Sequence, residues 1–178
     1  MADYIGVQAL CGQFDRREIS AGRFLKHCTR LIAAVIGCAR VGVWLFEDVA
    51  DGRALRCLSL YDGIKNRMTL VPDETSLQVG ADFEALEQVG HVLANDARTH
   101  PATAGFFDEK ASVNGVRSLM ASSFSVNGCL FGAFTCTNTQ ITEWSPAQLA
   151  TLKRMGARVS LALANASRAS QSTLPMPL

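Results

Sequence analysis

Apolar residues recur along this chain in two rhythms, and the change from one to the other marks its elements. Residues 3 to 14 place Tyr4, Val7, Cys11 and Phe14 at helical spacing. From Glu18 to Ile36 the same period returns in Phe24, Cys28, Leu31, Ile32 and Val35, and Gly37 supplies a helix stop. The two segments are read either as separate helices or as one long bent helix. Arg16, Arg17 and Glu18 read as a solvated face or connector. At Val41 the period becomes two. Val41, Val43 and Leu45 fall on one side, Trp44 and Phe46 on the other, so this strand is expected to be covered on both faces. A polar loop over residues 48–52 leads to a return strand over 54–61. The turn signal Asp62-Gly63 follows, then a short strand from Arg67 to Val71, stopped by Pro72.

Residues 73–80 read as irregular. Asp82 to Val89 fits a short helix with Phe83 and Leu86 on one face. His91 to Ala94 is a short strand, residues 95–101 a loop, and residues 102–113 a weak helix carrying Phe106 and Phe107. Residues 117–126 and 129–138 make a hairpin, because Asn127-Gly128 suits the positive φ angles of a type I′ turn. The last helix has a marked start. Ser145 is its N-cap, Pro146 its first residue, and Gln148 completes a capping box. Leu149, Leu152, Gly156, Val159 and Leu163 then form a seam of alternating three- and four-residue steps, with Ala150, Ala157 and Ala164 beside it. One stripe is expected to pack on the chain's own sheet and another on a partner helix. The seam residues are the candidate dimer interface.

Composition narrows the classes. The length suits one domain, placed at residues 1–167 with 1–17 as an N-terminal helical extension and 168–178 as a disordered tail. Nearly half the residues are apolar, enough for a sizeable core. The net charge of +1, with acids and bases interspersed, argues against nucleic acid or an anionic membrane as partner. The longest apolar run, residues 31–39, is far short of the roughly 20 residues a bilayer needs. The N-terminus lacks the basic start of a secretory signal, so a cytoplasmic location is expected. The six cysteines form no C-x-x-C pair and none sits near a histidine at metal-ligand spacing. They read as buried reduced thiols, with an oxidation-sensing thiol as the alternative. No catalytic constellation stands out, and the chain is not expected to be an enzyme.

Taken in order, several segments resemble a GAF domain, of the kind found alone in bacteria and upstream of cyclase, kinase or transcription-activator modules. They are residues 40–46, 55–58 with Leu60 and Tyr61, 83–86, 92–97, 115–120, 127–132, and Trp144-Ser145-Pro146, together spanning residues 20–165. The resemblance implies an α+β fold, GAF-like (profilin/PAS-like). A central antiparallel sheet of about six strands would carry the terminal helices on one face. Loops and short helices would form a pocket on the other. It also implies a non-catalytic sensory or regulatory module in signal transduction, binding a small molecule and dimerising through its terminal helices. A ligand-free interaction scaffold is the alternative reading, and a redox enzyme or thiol sensor a third.

The cofactor is left unknown. Against the cyclic-nucleotide pattern, Asn95 and Asp108-Glu109 are present, but Phe107 abuts Asp108 and the lysine is missing between. Residues 62–128 contain no cysteine, which removes covalent bilin attachment there and the catalytic cysteines of the methionine-sulfoxide-reductase members. For haem, His91 and His100 are loop histidines of the kind that are usually solvated. Candidate pocket residues are Tyr61, Phe83, Leu86, Asn95, Asp96, Arg98, Phe106, Phe107, Met120 and Ser122, aromatic walls with a few convergent polar groups. Arg98 can fork onto a carboxylate or phosphate. Asn95 and Asp96 either meet the ligand or tie the loop through backbone bonds. With no effector sequence on the chain, a downstream signalling protein is the expected recipient.

Overall fold

The computed structural model describes residues 2–49, 52–69, 76–78, 82–104, 115–126 and 128–171. The first two helical segments are separate. Helix α1 (Ala2–Asp15) ends before Arg17, whose φ of 59° leaves the helical path. Helix α2 (Ala21–Ile36) starts afresh at Ser20, whose hydroxyl accepts the Arg23 N–H. It stops at Gly37, in the left-handed conformation at φ 75°. The Phe14 and Phe24 rings stack at 4.3 Å and pin the two helices together. Val7 and Cys11 are fully buried in the main core, so α1 is part of the domain's packing and not an appendage.

Strands β1 (Arg40–Val49), β2 (Gly52–Asp62), β3 (Arg67–Thr69) and β4 (Ser76–Gln78) come next. Helix α3 (Asp82–Gln88), strands β5 (His91–Ala94), β6 (Ser118–Val126) and β7 (Cys129–Asn138), and helix α4 (Pro146–Gln171) complete the chain. The antiparallel sheet runs β3-β2-β1-β7-β6-β5. Strand β4 falls where the sequence reads as irregular. It shares the edge with β3: β3 pairs with residues 60–62 of β2, β4 with residues 54–56. The physical reason is that β2 outruns β3, and a second short strand covers the rest of its open edge. Between β6 and β7, Val126 pairs with Cys129 and Gly128 has a φ of 79°, as the Asn-Gly signal predicts; Asn127 lies outside the described residues.

Strand alternation divides the sheet into two faces. Val41, Val43, Met120, Phe124, Phe134 and Cys136 meet α1, α2 and α4 in the main core. A smaller cluster on the other face joins Leu86 of α3 to Val92, Ala94, Ala97, Val116, Ala121 and Ala133.

The predicted capping box of α4 is formed. Gln148 N–H donates to Ser145 Oγ at 3.1 Å, and Ser145 N–H donates to Gln148 Oε1 at 2.9 Å. The seam behind it departs from expectation. Leu149, Leu152, Gly156 and Val159 are buried in the chain's own core, and Leu163 is half-buried against it. A Cβ on Gly156 would lie 3.0 Å from the Phe134 ring, so the glycine lets α4 lie close on β7. Intrachain packing has the same period as a coiled-coil seam, which is why sequence alone does not separate them. The outward stripe of α4 instead carries Ala150, Ala157 and Leu161. Among the described residues no helix is long and apolar enough to cross a membrane.

Candidate functional site: the loop after β5 and its junction with α4

Strand β5 ends at Ala94, and the chain turns into a loop that is bonded at both ends. The Asn95 carbonyl accepts the Thr142 N–H at 3.2 Å, and its side-chain Oδ1 accepts the Trp144 N–H at 3.0 Å. Asparagine suits this place because its side chain substitutes for a backbone acceptor. Asn138, at the end of β7, ties the same junction from another side. Its Oδ1 accepts the Ala39 N–H at 2.7 Å and its Nδ2 donates to Thr142 Oγ1 at 3.0 Å. Gln148 adds a third tie: beyond its capping role, Nε2 donates to the Ile36 carbonyl at 2.9 Å. The loop after β5, the start of α4 and the end of α2 are thus linked through Asn95, Trp144, Gln148 and Ile36. Trp144 itself is buried in the main core.

Asp96 fixes the loop's course. Its carboxylate accepts from Arg117 Nη2 at 2.9 Å and from the Arg98 N–H at 3.2 Å. The Arg117 hydrogen bond, helped by that N–H, holds the Asp96 carboxyl below the usual range. Ala97 N–H donates to the Arg117 carbonyl at 2.8 Å, and the Thr103 hydroxyl donates to the Ala97 carbonyl at 2.8 Å. Ala102 N–H donates to His100 Nδ1 at 3.2 Å. Asp96 and His100 therefore serve loop structure, while the Arg98 side chain is exposed.

Among the described residues, the predicted pocket residues do not converge. Leu86 lies on the loop-side face, with Asn95, Asp96 and Arg98 at its edge. Tyr61, Met120 and Ser122 lie on the opposite, helix-covered face, and this corrects their assignment. Tyr61 carries the Arg30 guanidinium over its ring at 5.6 Å, Met120 is fully buried in the main core, and Ser122 shares its face through its pairing with Phe134. The cause is the two-residue period: register, fixed only by the folded sheet, decides which set faces the loops. Phe83 lies in α3 with its side chain outside the described residues, and Phe106 and Phe107 lie outside them entirely.

The loop-side floor carries Gly42, Trp44, Ala94, Ala121, Ala133 and Thr135, with the Trp44 indole N–H donating to Thr135 Oγ1 at 2.9 Å. Sequence reasoning placed Trp44 and Phe46 away from Val41 but did not carry them to the site. It also missed Asn138 and Arg117. The position of Asn138 at a strand end before a polar loop is the signal that was there to read.

A sheet with terminal helices on one face and a tied loop and short helix on the other is the expected arrangement, and comparison decides its family. A model of the GAF domain matches residues 20–163. The chain belongs to the GAF domain family. Its fold is similar to the GAF domain of an Acinetobacter phosphoenolpyruvate-protein phosphotransferase, at 14% identity and a TM-score of 0.69, covering 96% of this chain and 98% of that one. It is similar to the corresponding domain of Coxiella burnetii, at 12% identity and a TM-score of 0.64, covering 96% and 99%. A phycoerythrobilin-bound GAF domain from a cyanobacterial phytochrome gives 14% identity and a TM-score of 0.70, covering 94% and 97%. At such identities the likeness is one of fold. No curated protein matches the chain.

Proposed function

We propose that this GAF domain is a non-catalytic sensory module of signal transduction. A small molecule held on the loop side of the sheet shifts the loop after β5, and the terminal helices pass that shift to a downstream signalling protein. The carrying observation is the hydrogen bond from Trp144 N–H to Asn95 Oδ1, which makes the loop and the start of α4 one bonded unit. A ligand acts through such a unit only as far as it binds one arrangement better than the other. The bilin held by one of the similar GAF domains supports a small-molecule role in general terms. The domain works as a cytoplasmic homodimer that pairs through the outer faces of α1 and α4, where Ile5 and Leu161 are exposed.

Thermal-shift screening of the full chain against a broad metabolite library tests this reading, with native mass spectrometry of protein purified from its own host. A ligand at 100 times its dissociation constant adds about 2.7 kcal/mol to stability. A retained small molecule or a clear rise in melting temperature supports sensing. A flat response together with no retained mass overturns it.

One observation favours a second reading, a ligand-free interaction scaffold. Leu86 of α3 already packs on the small residues of β5, β6 and β7. The same screen separates the two.

A further inference from the structure

The net charge of +1 conceals a segregation of charge. Residues 19–46 and 144–178, which include α2 and α4, contain no aspartate or glutamate but eight of the 17 lysines and arginines. Thirteen of the 16 acids lie in residues 47–143. The excess of base on α2 and α4 sets a positive field on the helix-covered side of the sheet.

Its densest part is a ridge on α2. Arg23, Lys26 and Arg30 recur at three- and four-residue steps, so they share one helix face about 10 Å long. The opposite face orients it: Phe24, Leu25, Cys28 and Ile32 are buried in the main core, which turns Arg23 and Lys26 out to solvent. At the end of the ridge Arg30 is held in place. Its guanidinium lies over the Tyr61 ring at 5.6 Å, and its Nη2 donates to Asn66 Oδ1 at 2.6 Å. Asn66 closes the turn from β2 to β3 at a φ of 46°, which asparagine accepts more readily than most residues. Exposed Lys65 stands beside it.

Both partners of Arg30 are neutral, so they orient the guanidinium without cancelling its charge. Arg16, Arg40, Arg117 and Arg158 each meet a carboxylate. Among the described residues Arg30 meets none. The acid of the neighbouring turn, Asp62, is already engaged by Arg40 at 2.9 Å and by the Ile64 and Lys65 N–H groups.

We propose that this ridge is a docking site for an acidic protein surface, with Arg30 as the fork that receives a carboxylate and Arg23, Lys26 and Lys65 as flanking charges. The occupant is the downstream protein of the function proposed above, so the assignment rests on that reading for the partner's role. A guanidinium already oriented by a ring and an amide loses little further freedom on pairing, which favours a bidentate contact with a carboxylate. Charge complementarity selects an anionic partner, and the surroundings select protein. A helix that lies in a membrane surface sinks an apolar face into the lipid, and the apolar face of α2 is buried in the core. Single-stranded nucleic acid stacks on open aromatic rings, and the Tyr61 ring is covered by Arg30.

The test is fluorescence polarisation of labelled hexaglutamate, about 20 Å long when extended, titrated with the folded full chain at low salt. We expect saturable binding that weakens as salt rises. Arg30→Glu should lower the affinity about tenfold or more, the scale of one lost charge-assisted hydrogen bond. Asn66→Gly, which suits the positive φ but releases Arg30, should lower it several-fold. Arg154→Glu makes the same change of charge at an exposed position of α4 and should alter it by no more than about twofold. Circular dichroism checks each fold, and Lys26→Glu reads the same ridge from a solvent-exposed position. Equal losses in Arg30→Glu and Arg154→Glu would mean a diffuse field and overturn the site. So would tighter binding, through the same residues, to phosphatidylserine vesicles or to DNA than to hexaglutamate. The titration contains no small molecule, so a flat metabolite screen leaves a positive result standing, and absence of binding overturns the docking site alone.

Discussion

The Asn95 side chain accepts the backbone N–H of Trp144 at 3.0 Å, joining residues 49 positions apart in sequence. The bond satisfies an N–H just ahead of α4 with a group from the far side of the sheet. Asn95→Ala leaves that N–H without its partner and should lower stability by about 1 kcal/mol. Asn95→Asp keeps an acceptor oxygen and should recover much of the loss. Urea unfolding of both variants, followed by tryptophan fluorescence, checks the order.

The start of α4 offers a second test. Ser145→Ala removes an N-cap and should lower stability by about 1 kcal/mol. Gln148→Ala removes the reciprocal half of the box and also the bond to the Ile36 carbonyl, so it should cost more, about 2 kcal/mol. Equal effects would mean that the bond to α2 contributes nothing.

Acid should weaken the fold through two aspartates. Arg117 and the Arg98 N–H hold Asp96 low. Burial pushes Asp62 up, but Arg40, at 2.9 Å, and the Lys65 and Ile64 N–H groups outweigh it and hold that carboxyl low as well. A folded-state pKa below the unfolded value of about 3.9 stabilises the native state above that pH. The contribution is lost as pH falls through the folded values. Urea midpoints measured from pH 7 down to pH 3 should therefore drop at the acid end, and Asp62→Asn or Asp96→Asn should flatten the drop.

The two stripes of α4 should behave oppositely. Leu152→Ala opens a cavity in the main core and should cost about 2–5 kcal/mol without first changing oligomeric state. Leu161→Lys changes an exposed position, so it should leave the melting temperature within a degree or two while shifting a dimer towards monomer. Sedimentation velocity beside thermal melts separates them. A Leu161→Lys variant that stays dimeric removes that face as the interface.

Much of this architecture is legible in the sequence because local rules decide it. The Gly37 stop, the Asn127-Gly128 turn and the Ser145–Gln148 box each act within a few residues, and the hydrophobic periods name the helices and most strands. What escapes is set at a distance. Which of Tyr61, Met120 and Trp44 faces the loops depends on strand register. β4 exists because β2 leaves an edge uncovered. The α4 seam reads the same for a partner helix as for the chain's own sheet. Asn95 stands out as a loop residue, but its partner Trp144 is found only once β5 and α4 are brought together.

The coupling of the loop to α4 is tested most directly by hydrogen–deuterium exchange of the wild-type chain and Asp96→Asn. The substitution weakens the hold of Arg117 on the loop but touches nothing in α4. We expect the amides of Thr142 and Trp144, both bonded to Asn95, to exchange faster in the variant, along with the first turn of α4. Faster exchange confined to residues 95–104, with residues 142–149 as protected as in wild type, would contradict a loop that reports to the helix.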